Sequence, residues 1–370
     1  MTGIGRRTLA AGTPITGLAS GAGTVARAES TRHARSRAVA SARLSTRHAR
    51  SRAVALALVG ALLVNAAAPS AAQAHGPLAP VATSYLARVG RVPAGLGAKV
   101  IDGYLRLWLR VPAQEDVVVL DYRGAPYLRF ARAGVYVNRS SEMYYLNHYP
   151  VLTPPAGLSR ATPARWERVS AGHEYNWHDG RIGALADSAL APATGYVGRW
   201  SISLLLDGRL GSISGGFWRG STPSPMWFWP IAVLLACLLA ALRLRRRELD
   251  ARLAHGLAIA ALVAVAVGTV GRALHGRPTI GVDQFVLLGV VLLAVALALV
   301  RVLRRREGRI LLFVIAYGAL QMGAELAPTL LHGFVLIALP AFLARAAASL
   351  CLACGAGLLL LVLRMAALIP

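Results

Sequence analysis

The chain changes hydrophobic rhythm three times along its length. A 12-residue apolar run, Ala53–Val64, follows an arginine-rich start and precedes Ala72-Gln73-Ala74. An apolar core this short, with basic residues before it and a small-residue A-x-A site behind it, reads as a secretory signal rather than a membrane span. From Lys99 the pattern turns to short alternating bursts. Leu105, Leu107 and Leu109 alternate with Tyr104, Arg106, Trp108 and Arg110, the period-two signature of a half-buried strand. Strands are expected at Lys99–Ile101, Tyr104–Val111, Val117–Leu120, Tyr127–Phe130, Val135–Asn138, Trp166–Val169, Glu174–His178, Arg199–Leu206 and Arg209–Ser214. Asp102-Gly103 and Asp207-Gly208 carry two-residue hairpin signals. About seven to nine short strands at this spacing predict an all-β sandwich.

After Pro225 the rhythm lengthens. Met226–Leu242, Leu253–Val270, Ile280–Val300, Ile310–Ala327 and Ala341–Leu363 are each apolar enough to cross a bilayer. Thr329–Leu339 is also apolar but about half a span long and bounded by Pro328 and Pro340. It reads as a re-entrant or interfacial segment whose backbone is satisfied by protein, with a sixth crossing as the alternative. The expected organisation is a basic leader and signal over 1–74, an exported β-sandwich over 75–222, and an α-helical transmembrane bundle of about five spans over 223–370.

Charge sharpens this layout. The formal net charge is +24 in 370 residues, with 56% hydrophobic residues and a mean hydropathy of +0.53. Ten arginines precede Ala53 with only Glu29 against them, and ten more fall in two clusters, Arg243–Arg252 and Arg301–Arg309. Clusters between apolar blocks are what holds a loop on the cytoplasmic side. The loop over 272–279 has only Arg272 and Arg277. Together these place the β domain outside the plasma membrane. The stretch His75–Ser224 carries 16 basic and 10 acidic residues, dispersed, so a nucleic-acid partner is not indicated. Cys237, Cys351 and Cys354 all lie in apolar segments, which leaves the exported part without a disulfide. Ser30–Ala40 recurs unchanged as Ser45–Ala55; two copies make no solenoid.

One combination of motifs covers the β region. Pro126-Tyr127-Leu128-Arg129-Phe130, Val135-Tyr136-Val137-Asn138-Arg139-Ser140, Tyr145-Leu146-Asn147, Arg165-Trp166 and Trp177-His178-Asp179 resemble an uncharacterised family of exported, multi-span membrane proteins of high-GC bacteria. The resemblance implies the same layout from signal to last helix and no particular activity. Gly180 and Gly183 stand where that pattern often has histidines, which weakens a metal-site reading there.

Candidate chemistry is sparse. His75 becomes the N-terminus after cleavage, and its amine plus imidazole suit Cu(II); a frayed terminus is the competing reading. His173 and His178 point to opposite faces of one strand, so the cluster from His173 to Arg181 reads first as a corner. Trp177 would be buried, His178 held by a carboxylate or carbonyl, and Arg181 paired with Asp179 or Glu174. Glu115, Asp116 and Asp121 read as solvated loop charges. Cys351 and Cys354 suit Cu(I) by spacing but pack equally well as small apolar residues. His275, Asp283, Gln284, Gln321, Glu325 and His332 gather near the external ends of the spans. Ionisable groups there are costly and default to a functional hypothesis, with Glu325 able to face His332 across the Pro328 bend or to pair with Arg345. No nucleophile elbow, phosphate loop or HExxH motif supports an enzyme. The expected function is a membrane-anchored, non-enzymatic binding module of the cell envelope, in contact with the bilayer and an envelope ligand. The alternative is copper handling through His75, His178 and the outer polar residues His275, Asp283, Glu325 and His332.

Overall fold

The computed structural model describes residues 80–367, apart from 149–150, 187–191, 244–246 and 277. The leader, the A-x-A site and His75 lie outside the described residues.

Two antiparallel sheets build the β region. The larger joins β2 (Tyr85–Arg91), β5 (Val117–Leu120), β6 (Pro126–Ala131), β7 (Gly134–Asn138), β8 (Trp166–Ser170), β10 (Gly195–Leu206) and β11 (Arg209–Arg219) in the order β2-β11-β10-β5-β6-β7-β8. The smaller is β3 (Gly97–Ile101), β4 (Arg106–Arg110) and β9 (Glu174–His178), ordered β3-β4-β9. The inner faces share one core. Val117, Val119, Leu128, Phe130, Val135, Ile202, Leu204, Ile213 and Phe217 of the large sheet meet Leu107, Leu109 and Trp177 of the small one. Alternate residues of each strand point inward because successive side chains leave opposite faces, so the sequence rhythm became a sandwich. Its third component is a pair of short helices, α1 (Glu142–Leu146) and α2 (Gly180–Gly183), which place Met143 and Ile182 in the same core.

The two Asp-Gly signals resolve differently. Leu206 pairs with Arg209 around Asp207 (φ 45°) and Gly208 (φ 81°), a two-residue turn with both centres left-handed, as the strand twist requires. At Asp102-Gly103 the first pair is Ile101 with Arg106, so the loop has four residues. Tyr104 leaves the strand to pack edge-on against Tyr85 and Phe217, and Arg106 bonds back to Asp102. The expected half-buried strand there is covered on both faces. Leu107 and Leu109 are fully buried and Trp108 is buried too, its ring flanked by Lys99 and Arg110 at 5.8 and 5.7 Å. Strands β2 and β1 (Ala82–Thr83) were not foreseen, and β10 and β11 run longer than expected.

The C-terminal part is helical. α3 (Trp229–Arg243) follows a 3-10 turn at Pro225–Phe228; then come α4 (Arg247–Ala273), α5 (Val282–Leu303), α6 (Arg309–Leu326), a one-turn α7 (Pro328–Leu331) and α8 (Ala341–Ala367). Among the described residues four helices are long and apolar enough to cross a membrane, while the first apolar helix, Pro225–Ala241, is shorter than the rest. Helix α8 packs on α6, α4 and α3. Its contact face is small: Ala344, Ala347, Ala348, Cys351 and Cys354 recur at helical spacing and are almost wholly buried. Small residues let helices approach where lipid provides no hydrophobic drive. A Cβ at Gly355 would come within 2.9 Å of Leu320, and one at Gly323 within 2.8 Å of Leu352. Both cysteines of the CxxC spacing thus serve this packing.

The segment expected to be re-entrant is a strap between the two regions. After α7, β12 (Phe334–Val335) pairs with β1, Ala82 opposite Val335 and Thr83 opposite Phe334. Its neighbours are bonded in turn: the Leu336 N–H donates to the Val81 carbonyl (2.7 Å) and the Ala338 N–H to that of Gly271 (2.8 Å). Val81 itself belongs to the helical core. Protein groups therefore satisfy these backbone positions of the strap.

Candidate functional site

The densest motif residues form internal stitches. Asp179 is the centre of one. Its side chain caps α2 by accepting from the Arg181 N–H, and also accepts from the Trp177 indole (3.0 Å) and from the Arg181 guanidinium (2.7 and 2.8 Å). Arg181 continues to the Leu120 carbonyl (2.9 Å) and lies 5.2 Å over the Tyr122 ring. The Tyr122 hydroxyl in turn accepts from the Gly180 N–H (2.9 Å); burial first, then the Asp179 charge, raises its pKa above the usual tyrosine value. Asn138 ties a second corner, donating to Pro126 and accepting from the Ser140 and Arg165 N–H groups. Asn147 accepts from the His178 N–H (2.8 Å). These bonds hold the corners around Asn138, Asn147 and Asp179, and the buried polar groups named here each have a partner. Asp121, expected in solvent, is buried and accepts from Arg123, Ala125 and Ser141.

His178 is exposed as a residue and joins this framework through its backbone N–H, which donates to Asn147. Desolvation lowers its pKa below the ordinary histidine value, with Asp179 opposing and Arg106 assisting. Among the described residues no group of three or more His, Cys, Asp or Glu side chains is placed to hold a metal.

The outer face of the large sheet is a different surface. Strands β2, β10 and β11 contain no carboxylate, and Arg88, Arg91 and Arg199 stand on this face, while Arg209 and Arg219 fall at inner-face positions near the ends of β11. The register aligns Ser201 with Ser214, Ser203 with Ser212 and Arg199 with Gly216, which in turn faces Arg88. This face alternates with the buried Trp200, Ile202 and Leu204. At one end Trp218 lies across Gly216, where a Cβ would press into the ring. Arg88 stands 5.6 Å above that ring and Tyr196 meets it edge-on at 5.6 Å. The result is a flat polar surface with an aromatic platform and an unbalanced positive charge. Sequence reading missed it, though the absence of Asp and Glu from 85–91, 195–206 and 209–219 was there to be seen.

The polar residues expected to gather at the outer ends of the spans occupy separate places. Glu325 pairs with Arg272 and accepts from Gln321 (3.1 Å). His332 faces Ser84 of the β region, Nδ1 to Oγ 2.9 Å, and not Glu325. Arg345 donates to the backbone carbonyls of Thr329, Gly333 and His332 (2.9, 3.3 and 3.4 Å), which pins the strap rather than pairing with Glu325. Asp283 is exposed in the first turn of α5, where the helix dipole favours a carboxylate. His275 and Gln284 line a cavity of about 190 Å³ with Arg272. At the other helix ends His255 meets Glu307 (3.0 Å) and Arg364 meets Asp250 (3.4 Å).

Comparison with protein-family models, with curated proteins and with solved structures finds no match to this chain.

Proposed function

We propose that this chain is a membrane-anchored binding protein of the cell envelope, its β-sandwich outside the cytoplasm and the outer face of its large sheet engaging an anionic envelope glycopolymer. The carboxylate-free strands β2, β10 and β11 carry this reading. Opposite charges are normally interspersed on a sheet, and a face of one sign raises the local concentration of its counter-charge. The serine rows offer hydrogen bonds to hydroxyls, and Trp218 with Tyr196 offers an apolar plate with polar rims of the kind that favours recognition. The arginine clusters support the orientation. The pairs His255–Glu307 and Arg364–Asp250 bring the start of α4, the turn after α5 and the end of α8 to one end of the bundle, opposite the end where Gly271 meets the strap, and an arginine-rich end belongs on the cytoplasmic side.

Full-length protein in nanodiscs should retain polygalacturonate, a carboxylated glycan, and not uncharged dextran. Retention should weaken as salt rises and fall about tenfold or more in Arg88→Ser/Arg199→Ser, since each lost charge-assisted contact is worth about 1.5–3 kcal/mol. Equal retention by the double variant would refute the assignment of this face.

A further inference from the structure

We propose that the arginine turn after α5 binds the head of an anionic phospholipid, drawn from the leaflet at the bundle end away from the strap. The inference rests on the helices spanning a bilayer and is independent of what the sheet face binds. α5 has 22 residues, Val282–Leu303, which at 1.5 Å per residue is about 33 Å, close to the thickness of a hydrocarbon core of about 30 Å. Arg304, Arg305 and Arg306 follow at once and are all exposed. A span of this length delivers them to headgroup depth.

The turn that carries them is held by its own backbone. The Arg304 N–H donates to the Val300 carbonyl (3.1 Å), that of Arg305 to Val302 (2.8 Å) and that of Arg306 to Arg301 (2.9 Å), the crossed bonding of a helix that ends in a left-handed residue. That residue is Arg305, at φ 48°, where glycine is the unstrained choice. The backbone there favours glycine, and the chain supplies a guanidinium instead. Its charge is not neutralised by neighbours. The side chains of Arg304, Arg305 and Arg306 make no ion pair or hydrogen bond among the described residues. Glu307, the next residue, turns inward to His255 (3.0 Å), and both of those side chains are largely buried. The same contact brings the first turns of α4 alongside, where Arg252 is exposed one turn before His255; Arg309 is exposed just beyond the turn.

The helix also offers a track for acyl chains. Val286, Val290, Leu293, Leu297, Val300 and Leu303 are exposed and recur every three or four residues, so they line one face that ends at the arginines. Only 22% of the α5 span is buried, against 61% for α8, which leaves this face to lipid. A soluble anion would use the arginines and leave the apolar face idle. A zwitterionic lipid would use the face and leave the charge unmatched. An anionic phospholipid matches both, as basic clusters at the end of a span do in general.

The test is native mass spectrometry of the full chain released, at low salt, from nanodiscs of equal phosphatidylglycerol and phosphatidylcholine. The wild type should carry phosphatidylglycerol in about tenfold or greater excess over phosphatidylcholine, since each arginine near an anionic surface is worth about a fivefold change in partitioning. Arg305→Gly removes one charge and relaxes the backbone, so it should lower that excess about threefold or more without lowering the melting point. Arg304→Gln/Arg305→Gly/Arg306→Gln should abolish the preference. Excess inorganic phosphate should leave it intact, because the apolar contacts remain. Three results would overturn the proposal: no preference in the wild type, a preference in both variants equal to the wild type, or loss of the lipid to phosphate alone, which would make the turn a free-anion site. The glycan-retention assay involves none of these arginines, so failure here and failure of the sheet-face reading are separable.

Discussion

At Asp179 four donors converge on one carboxylate that has no exposure at all. Replacing it with alanine strands the Arg181 guanidinium, which is four-fifths buried, and the Trp177 indole. Breaking one partner out of a buried pair costs about 3–5 kcal/mol. Asp179→Ala should therefore lower the thermal midpoint of the β region markedly, read by tryptophan fluorescence, while Asp179→Asn should cost less because it keeps an acceptor. The neighbouring His178 gives a pH signature. Its folded pKa lies below the ordinary value, so the unfolded chain takes up the proton first. Its contribution is constant above about pH 6.5 and turns destabilising as pH falls through that value toward the lower folded one. His178→Gln should flatten the stability–pH curve between pH 7 and 5; an unchanged slope would remove His178 as its source. The Trp-His-Asp run was legible as a corner with Trp177 buried and Arg181 on Asp179. The depth of Asp121 was not, because the donors that permit it come from Ser141 and from a turn whose shape no local pattern reveals.

Among the elements, the strap shows the same division between what is local and what is not. Its apolar character and its two prolines mark a segment too short to span. Its pairing with Ala82–Thr83 joins residues about 250 positions apart through two-residue strands, too short to show any period. Gly333 is where it passes closest to the β region: a Cβ there would lie 2.6 Å from the Ser221 carbonyl and 2.9 Å from the Gly220 backbone. Gly333→Val should therefore push the strap away at a cost of about 1–3 kcal/mol, the usual range for overpacking. The readout is faster proteolysis around Ser221–Ser224 with the helices intact; wild-type cleavage rates would show that the strap does not fasten the two regions. The polar residues expected to gather at the ends of the spans occupy separate places, and their partners could not be read from the sequence. Arg272 for Glu325 and backbone carbonyls for Arg345 are set by how the helices rotate against one another, which helical periodicity alone leaves open.

For the molecule as a whole, the change from period-two bursts to long apolar blocks correctly separated a β region from a helical one, because both rhythms are imposed locally by burial. The side of the membrane is carried by charge placement alone, and the proposed function depends on it: a face that engages an envelope glycopolymer needs the sandwich outside. The direct measurement is labelling of intact cells with a membrane-impermeant thiol reagent, using Ser201→Cys on the outer sheet face and Arg305→Cys in the second arginine cluster. The native Cys351 and Cys354 are buried in helix packing, and a Cys237→Ala background removes the exposed third. The account predicts that the thiol at position 201 reacts in intact cells and the one at 305 reacts only after permeabilisation. Labelling at 305 with protection at 201 would invert the topology and contradict it.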